Sequence, residues 1–125
     1  MKKKIMVVDD EPDQIFSLKL ILEHDSEYEI IGANNGLRCL ELLEKSKIPD
    51  LILLDIMMPK MNGWDVLEQL KKKSEWKDIP VIFLTALTAK DKRNKDVWKA
   101  DGYIEKPYDL EDLKKTIKSI INKNK

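Results

Sequence analysis

Asp50-Leu51-Ile52-Leu53-Leu54-Asp55-Ile56-Met57-Met58-Pro59 is the stretch whose reading decides the fold. Four aliphatic residues run without a polar break into one carboxylate, and a turn signal follows at once. An amphipathic strand would alternate, whereas a short all-apolar run of this kind reads as a central parallel strand covered on both faces. Asp55 then stands at the strand's carboxyl end, where open α/β sheets place their ligands. Taken alone, an Asp at that point is a turn cap. Its company elsewhere in the chain argues for chemistry.

Working outward, the same pattern recurs. Ile5 to Val8 is an apolar first strand, closed by Asp9-Asp10-Glu11-Pro12. Pro12 suits the first turn of a helix, with Asp10 or Glu11 as its cap, and Ile15, Leu18, Ile21 and Leu22 recur at helical spacing to about His24. Tyr28 to Ala33 reads as strand two. Asn34-Asn35-Gly36 is a turn, and Leu37, Leu40 and Leu43 mark helix two. After strand three, Asn62-Gly63 opens helix three, with Trp64, Leu67 and Leu70 on one face. Pro80 to Leu84 is strand four, ending at Thr85-Ala86. The fourth helical pattern, Ala89 to Lys99, is mostly charged, with Val97 and Trp98 its only large apolar residues. Gly102-Tyr103-Ile104 is a short strand five before Glu105-Lys106-Pro107. Asp109 caps the fifth helical pattern, whose face is Leu110, Leu113, Ile117, Ile120 and Ile121. Strands alternating with helices predict an α/β doubly wound parallel sheet with right-handed crossovers.

The bulk properties narrow the function. A chain of 125 residues with 42% hydrophobic content can bury one sizeable core, and one domain over 1–125 is expected, with a polar tail at about 122–125. The 23 basic and 23 acidic residues cancel, which argues against direct binding to nucleic acid or to an anionic membrane. Cys39, the single cysteine, has no partner for an internal disulfide and reads as a small core residue. The apolar run behind Met1-Lys2-Lys3-Lys4 stops at Asp9, too short for a signal peptide or a membrane span, so a cytoplasmic protein is expected. No GxGxxG or Walker pattern occurs, which disfavours ordinary nucleotide binding. His24, the only histidine, reads as a solvated helix position, and Trp64 and Trp76 as packing residues.

The polar residues of interest all fall just after apolar strands: Asp9, Asp10 and Glu11 after the first, Asp55 after the third, Thr85 after the fourth and Lys106 after the fifth. If strands one and three are neighbours, about 4.8 Å apart, Asp10 and Asp55 can share one ion. Carboxylates so close raise one another's pKa unless a cation neutralises them. Oxygen donors with no His or Cys among them point to a hard cation such as Mg²⁺.

In these residues the sequence resembles the receiver domain of two-component response regulators, over nearly its whole length. The resemblance is carried by Val7-Val8-Asp9-Asp10-Glu11, Leu53-Leu54-Asp55-Ile56-Met57-Met58-Pro59, Met61-Asn62-Gly63, Thr85-Ala86 and Gly102-Tyr103-Ile104-Glu105-Lys106-Pro107. It implies a flavodoxin-like three-layer sandwich with strand order 2-1-3-4-5. It further implies that Asp55 is the phosphoacceptor, attacking a phosphohistidine on a sensor histidine kinase or histidine phosphotransfer protein. Asp10, Asp55 and the Met57 backbone oxygen would hold Mg²⁺, with Asp9 acting through water. Thr85 and Lys106 would bind the phosphoryl group, and Thr85 and Tyr103 would be the switch pair. The output would reach a downstream protein through helix four, strand five and helix five. The segment Ala89 to Lys99, poor in apolar contacts, is expected to be the least protected helix, with Trp98 near the partner surface. A cis Lys106–Pro107 bond is expected, aiming the amine over the strand ends. Met57 and Leu87 are expected to shield the site from water. The turn before strand five departs from the family's Gly-Ala-Asp, reading Lys99-Ala100-Asp101.

The expected activity is that of a signalling module with weak intrinsic phosphotransfer and autophosphatase activity, not of a dedicated enzyme. Three alternatives are weaker. A haloacid-dehalogenase-like phosphatase also uses a strand-end Asp with Mg²⁺, but wants a second Asp where Met57 stands. A flavodoxin-like cofactor binder wants a Ser/Thr/Gly-rich loop after strand one. A phosphorylation-independent scaffold has no need to keep Asp10, Asp55, Thr85 and Lys106 together.

Overall fold

Along each inner strand, successive side chains point to opposite faces of the sheet, so an unbroken apolar run buries both faces only if helices cover both. That is the arrangement in the computed structural model, which describes residues 2–24, 27–86 and 100–123 and, for Thr85, the backbone. The elements run β1 (Lys3–Val8), α1 (Pro12–Glu23), β2 (Tyr28–Ala33), α2 (Gly36–Glu44), β3 (Leu51–Asp55), α3 (Gly63–Lys71), β4 (Val81–Thr85), β5 (Gly102–Glu105) and α4 (Leu110–Lys123), the last being the fifth helical pattern of the sequence. The five strands form one parallel sheet in the order β2-β1-β3-β4-β5, as expected.

The sheet divides the apolar interior in two. Met6, Val8, Ile52, Leu54, Val81 and Phe83 pack on one side with Cys39, Leu43, Val66 and Leu70 from α2 and α3. Ile5, Val7, Leu51, Leu53, Ile82 and Leu84 pack on the other with Leu18, Leu22, Leu113 and Ile117 from α1 and α4. β3 is buried at every position. Cys39 is the small core residue expected, and burial pushes its thiol up to about 12.

Two reciprocal pairs tie the amino ends of the strands. The Lys4 amide donates to Asp50 Oδ2 at 2.7 Å while the Asp50 amide donates to the Lys4 carbonyl at 2.7 Å. Asp101 does the same with Val81, accepting its amide at Oδ2 and donating to its carbonyl, both at 2.8 Å. The open edge at β2 is guarded as well. Glu23 Oε2 accepts the Ile30 amide at 3.0 Å, and that bond holds the Glu23 carboxyl below its usual value.

Several local expectations need correction. The α1 N-cap is Glu11, but its side chain makes no capping bond; Asp9 Oδ1 accepts the Glu11 amide instead, at 2.9 Å. Leu37 and Leu110 fit a helical stripe yet lie on the first turn, beyond the reach of the core, and are exposed. Trp64 likewise stays just over a third exposed, and Val66 takes its place inside. His24 is exposed, but at the C-cap of α1 rather than within it. α4 continues through Lys123, so Asn122 and Lys123 belong to the helix. Trp76, in contrast, is buried as expected, with the Lys73 ammonium 4.6 Å from its ring centre and 2.7 Å from Glu44. The expectations for Ala89 to Lys99, Trp98 and Leu87 lie outside the described residues.

Candidate functional site

The sheet order brings the ends of β1 and β3 together, since Val8 pairs with Leu54 and the next residues are Asp9 and Asp55. One carboxylate oxygen from each of Asp9, Asp10 and Asp55 lies within 4.8 Å of the others. Asp9 and Asp55 are buried, at 1% and 6% exposure, whereas Asp10 is more open to solvent. These two are the only buried charged side chains among the described residues.

Their partner is Lys106. β5 pairs with β4 and ends at Glu105, so the next residue projects over the sheet's carboxyl edge. The Lys106–Pro107 bond is cis, as expected. The Lys106 ammonium stands 3.4 Å from Asp9 Oδ2 and 3.7 Å from Asp55 Oδ2. Burial pushes the Asp55 carboxyl up to about 6, against the pull of Lys106, with the Asp9 charge adding to the rise. One ammonium therefore leaves a three-carboxylate cluster short of positive charge. A hard divalent cation fits that donor set, because every available ligand is an oxygen.

The loop from β3 to α3 frames the same point. Met57 donates its amide to Asp55 Oδ1 at 3.2 Å, fixing the carboxylate rotamer, and its side chain is exposed beside the site. The Ile56 carbonyl turns into the loop and accepts two amides, from Met58 at 3.1 Å and Gly63 at 2.9 Å. Asn62 then starts α3 with a capping box, its side chain and that of Asp65 bonding each other's amides. Thr85 closes β4 opposite Glu105, on the same edge. Tyr103 lies two residue pairs back, opposite Phe83, and is about a third exposed. Asp9, Asp10, Asp55 and Lys106 thus come together directly, Thr85 and Met57 border them, and Tyr103 stands apart on β5.

Two contributors were given no role at the site from sequence. Gly63 reads as part of a helix start, yet it rests on the backbone of Asp55: a Cβ there would lie 2.6 Å from the Asp55 carbonyl oxygen and 2.7 Å from Ile56 Cα. Tyr108, two residues after Lys106, packs against the α1–α4 side of the core. Burial raises its phenol pKa, with Lys106 pulling down and Asp9 pushing up. Only the glycine's position after an Asn cap hinted at close approach.

A five-stranded parallel sheet with an acidic, lysine-bridged cluster at the carboxyl ends of its inner strands defines a signalling domain of the receiver class. The chain belongs to the response regulator receiver domain family, whose model matches residues 5–118. It is 38% identical over 122 residues to Protein PilH of Pseudomonas aeruginosa, covering 94% of this chain and 97% of that protein. It is 37% identical over 128 residues to the alkaline phosphatase synthesis transcriptional regulatory protein PhoP of Bacillus subtilis, covering 99% of this chain but 50% of PhoP. The chain therefore spans nearly all of one relative and about half of another. Among solved structures it is similar to the receiver domain of a signal transduction histidine kinase from Syntrophus aciditrophicus, with TM-score 0.87, 33% identity, and 96% and 90% of the two chains covered. The chemotaxis protein CheY4 of Vibrio cholerae gives TM-score 0.84 at 28% identity, over 96% and 99%. No helix among the described residues is long and apolar enough to cross a membrane.

Proposed function

We propose that this chain is a phosphoacceptor domain, taking a phosphoryl group onto Asp55 from a phosphohistidine of a sensor histidine kinase or histidine phosphotransfer protein. The observation that carries the reading is the buried Asp55 carboxylate, held by Met57 and faced by Lys106 within a cluster of three carboxylates. An Asp55 oxygen attacks phosphorus in line, the histidine N–P bond breaks with its electron pair returning to the imidazole, and an acyl phosphate remains. Such transfer is catalysed mainly by positioning and charge stabilisation. Asp10, Asp55 and the Met57 carbonyl would hold Mg²⁺ directly, and Asp9 through water. When bound, that ion neutralises the charge shared by the carboxylates and the phosphoryl oxygens. Lys106 pairs with one phosphoryl oxygen and the Thr85 hydroxyl donates to another.

The added charge, roughly −1.5 to −2, draws Thr85 inward, and Tyr103 follows into the space it leaves. The switch is read by a downstream protein at the face of β5, α4 and the segment before β5. Weak transfer and autophosphatase activity belong to the same site, and the module works in the cytoplasm. Mass measurement after incubation with a small-molecule phosphodonor tests the reading. The expected result is one added phosphoryl group that requires Mg²⁺ and is abolished by Asp55→Asn. Undiminished labelling of the Asp55→Asn protein overturns it.

A further inference from the structure

The backbone leading into the candidate metal site is pressed on from behind by the first residue of α3. We propose that Gly63 is a positioning residue for that site, setting the Asp55–Met57 backbone so that it suits a small ion of strict geometry. The inference rests on the phosphoacceptor reading for the identity of the site and adds the element that shapes it.

The geometry is specific. A Cβ at Gly63 would sit 2.6 Å from the Asp55 carbonyl oxygen, 2.7 Å from Ile56 Cα and 3.2 Å from the Asp55 carbonyl carbon. Ordinary carbon–oxygen contact begins at about 3.3 Å, so the strand end and the helix start would have to part by roughly 0.7 Å. All three atoms are backbone, and no side-chain rotation relieves the clash. The Gly63 amide is also one of the two that hold the Ile56 carbonyl. Separating α3 from this peptide therefore loosens the bond that turns the Ile56 carbonyl into the loop. The residues displaced are Asp55, whose carboxylate is in the cluster, and Ile56, which leads directly into Met57.

Gly36 provides the contrast. A Cβ there meets Met61 Sδ at 2.7 Å, Val66 Cγ2 at 2.8 Å and Met61 Cγ at 2.9 Å, all side-chain atoms. Crowding at Gly36 strains packing between α2 and α3 without pushing on the site's backbone. The two glycines thus separate a general packing defect from a positional one.

Ion selectivity reads the difference. Mg²⁺ demands near-octahedral ligands at about 2.0–2.1 Å, whereas Ca²⁺ accepts longer and more variable geometry. Calorimetric titration of wild type, Gly63→Ala and Gly36→Ala with Mg²⁺ and with Ca²⁺ is the experiment, with thermal unfolding run alongside. In Gly63→Ala, Mg²⁺ affinity is expected to fall about 10–100-fold while Ca²⁺ affinity falls by less than about threefold. Gly36→Ala is expected to keep the wild-type ratio whatever its melting temperature. Equal loss of both ions in Gly63→Ala, or an unchanged Mg²⁺ affinity, overturns the inference while leaving the phosphoacceptor reading intact. Failure of wild type to bind Mg²⁺ overturns the reading of the site itself. Should Gly63→Ala fold too weakly for calorimetry, the amide shifts of Met57 and Met58 in its remaining folded population, compared with those of Gly36→Ala, decide: unmoved shifts in Gly63→Ala sink the proposal.

Discussion

Replacing Asp55 by Asn is expected to stabilise the protein, and the size of the gain follows from the site. Folding raises the Asp55 pKa from 3.8 to about 6, chiefly through burial. Each pKa unit corresponds to about 1.4 kcal/mol, so holding the carboxylate ionised costs the folded state about 3 kcal/mol. The folded protein binds the proton more tightly than the unfolded chain does. The favourable contribution of Asp55 is therefore complete below about pH 4 and is lost as pH rises through about 6. Asn cannot ionise, keeps an acceptor for the Met57 amide, and leaves Lys106 with Asp9 at 3.4 Å. In urea titrations with chelator present, Asp55→Asn should exceed wild type by about 2–3 kcal/mol near pH 8, and the gap should vanish near pH 4. Saturating Mg²⁺ should narrow it by stabilising wild type, by about 2.7 kcal/mol at a hundredfold excess over the dissociation constant. A variant less stable than wild type near pH 8, or a gap independent of pH, refutes the reasoning.

Lys106→Met removes the ammonium facing Asp9 and Asp55; phosphorylation by a small donor should fall about 10²–10³-fold, and the Asp55 carboxyl should titrate above its wild-type value by NMR. Met57→Asn places a hydrogen-bonding amide where an exposed apolar side chain now flanks Asp55; decay of the phosphorylated form, followed by phosphate release, should quicken roughly tenfold, and an unchanged rate removes Met57 from any shielding role. Asp101→Ala deletes the side-chain acceptor of the Val81 amide; chemical unfolding should show a loss of about 1–2 kcal/mol with Mg²⁺ affinity retained.

The inner sheet was legible because its strands leave so little ambiguity. Ile5–Val8, Leu51–Leu54 and Val81–Leu84 are apolar on every position, and only a sheet covered on both faces accepts such runs. The site was legible for the related reason that polar residues interrupt those runs at one edge. Helix faces were harder. Leu37, Trp64 and Leu110 satisfy the helical period, but each lies in the first turn, where the helix axis is leaving the core. Caps depend on rotamers that periodicity does not encode, which is why Asp9 rather than Glu11 serves the start of α1. Gly63 stood out only as part of a helix start and of the Met61-Asn62-Gly63 motif; its contact with the site is a matter of what approaches it from β3, some eight residues upstream in the chain, and no local pattern carries that.

The sheet that holds the site also partitions the molecule's capacity to vary. The cluster under α2 and α3 and the cluster under α1 and α4 meet the same strands but from opposite sides, through alternate side chains. Substitutions in separate, non-touching clusters add in their effects instead of compounding. One layer can therefore drift, or be remodelled for a new partner, while the other keeps its own packing. The residues denied that freedom are those on the seam, at the ends of β1 and β3, where both layers share a backbone and Asp9 and Asp55 emerge from it.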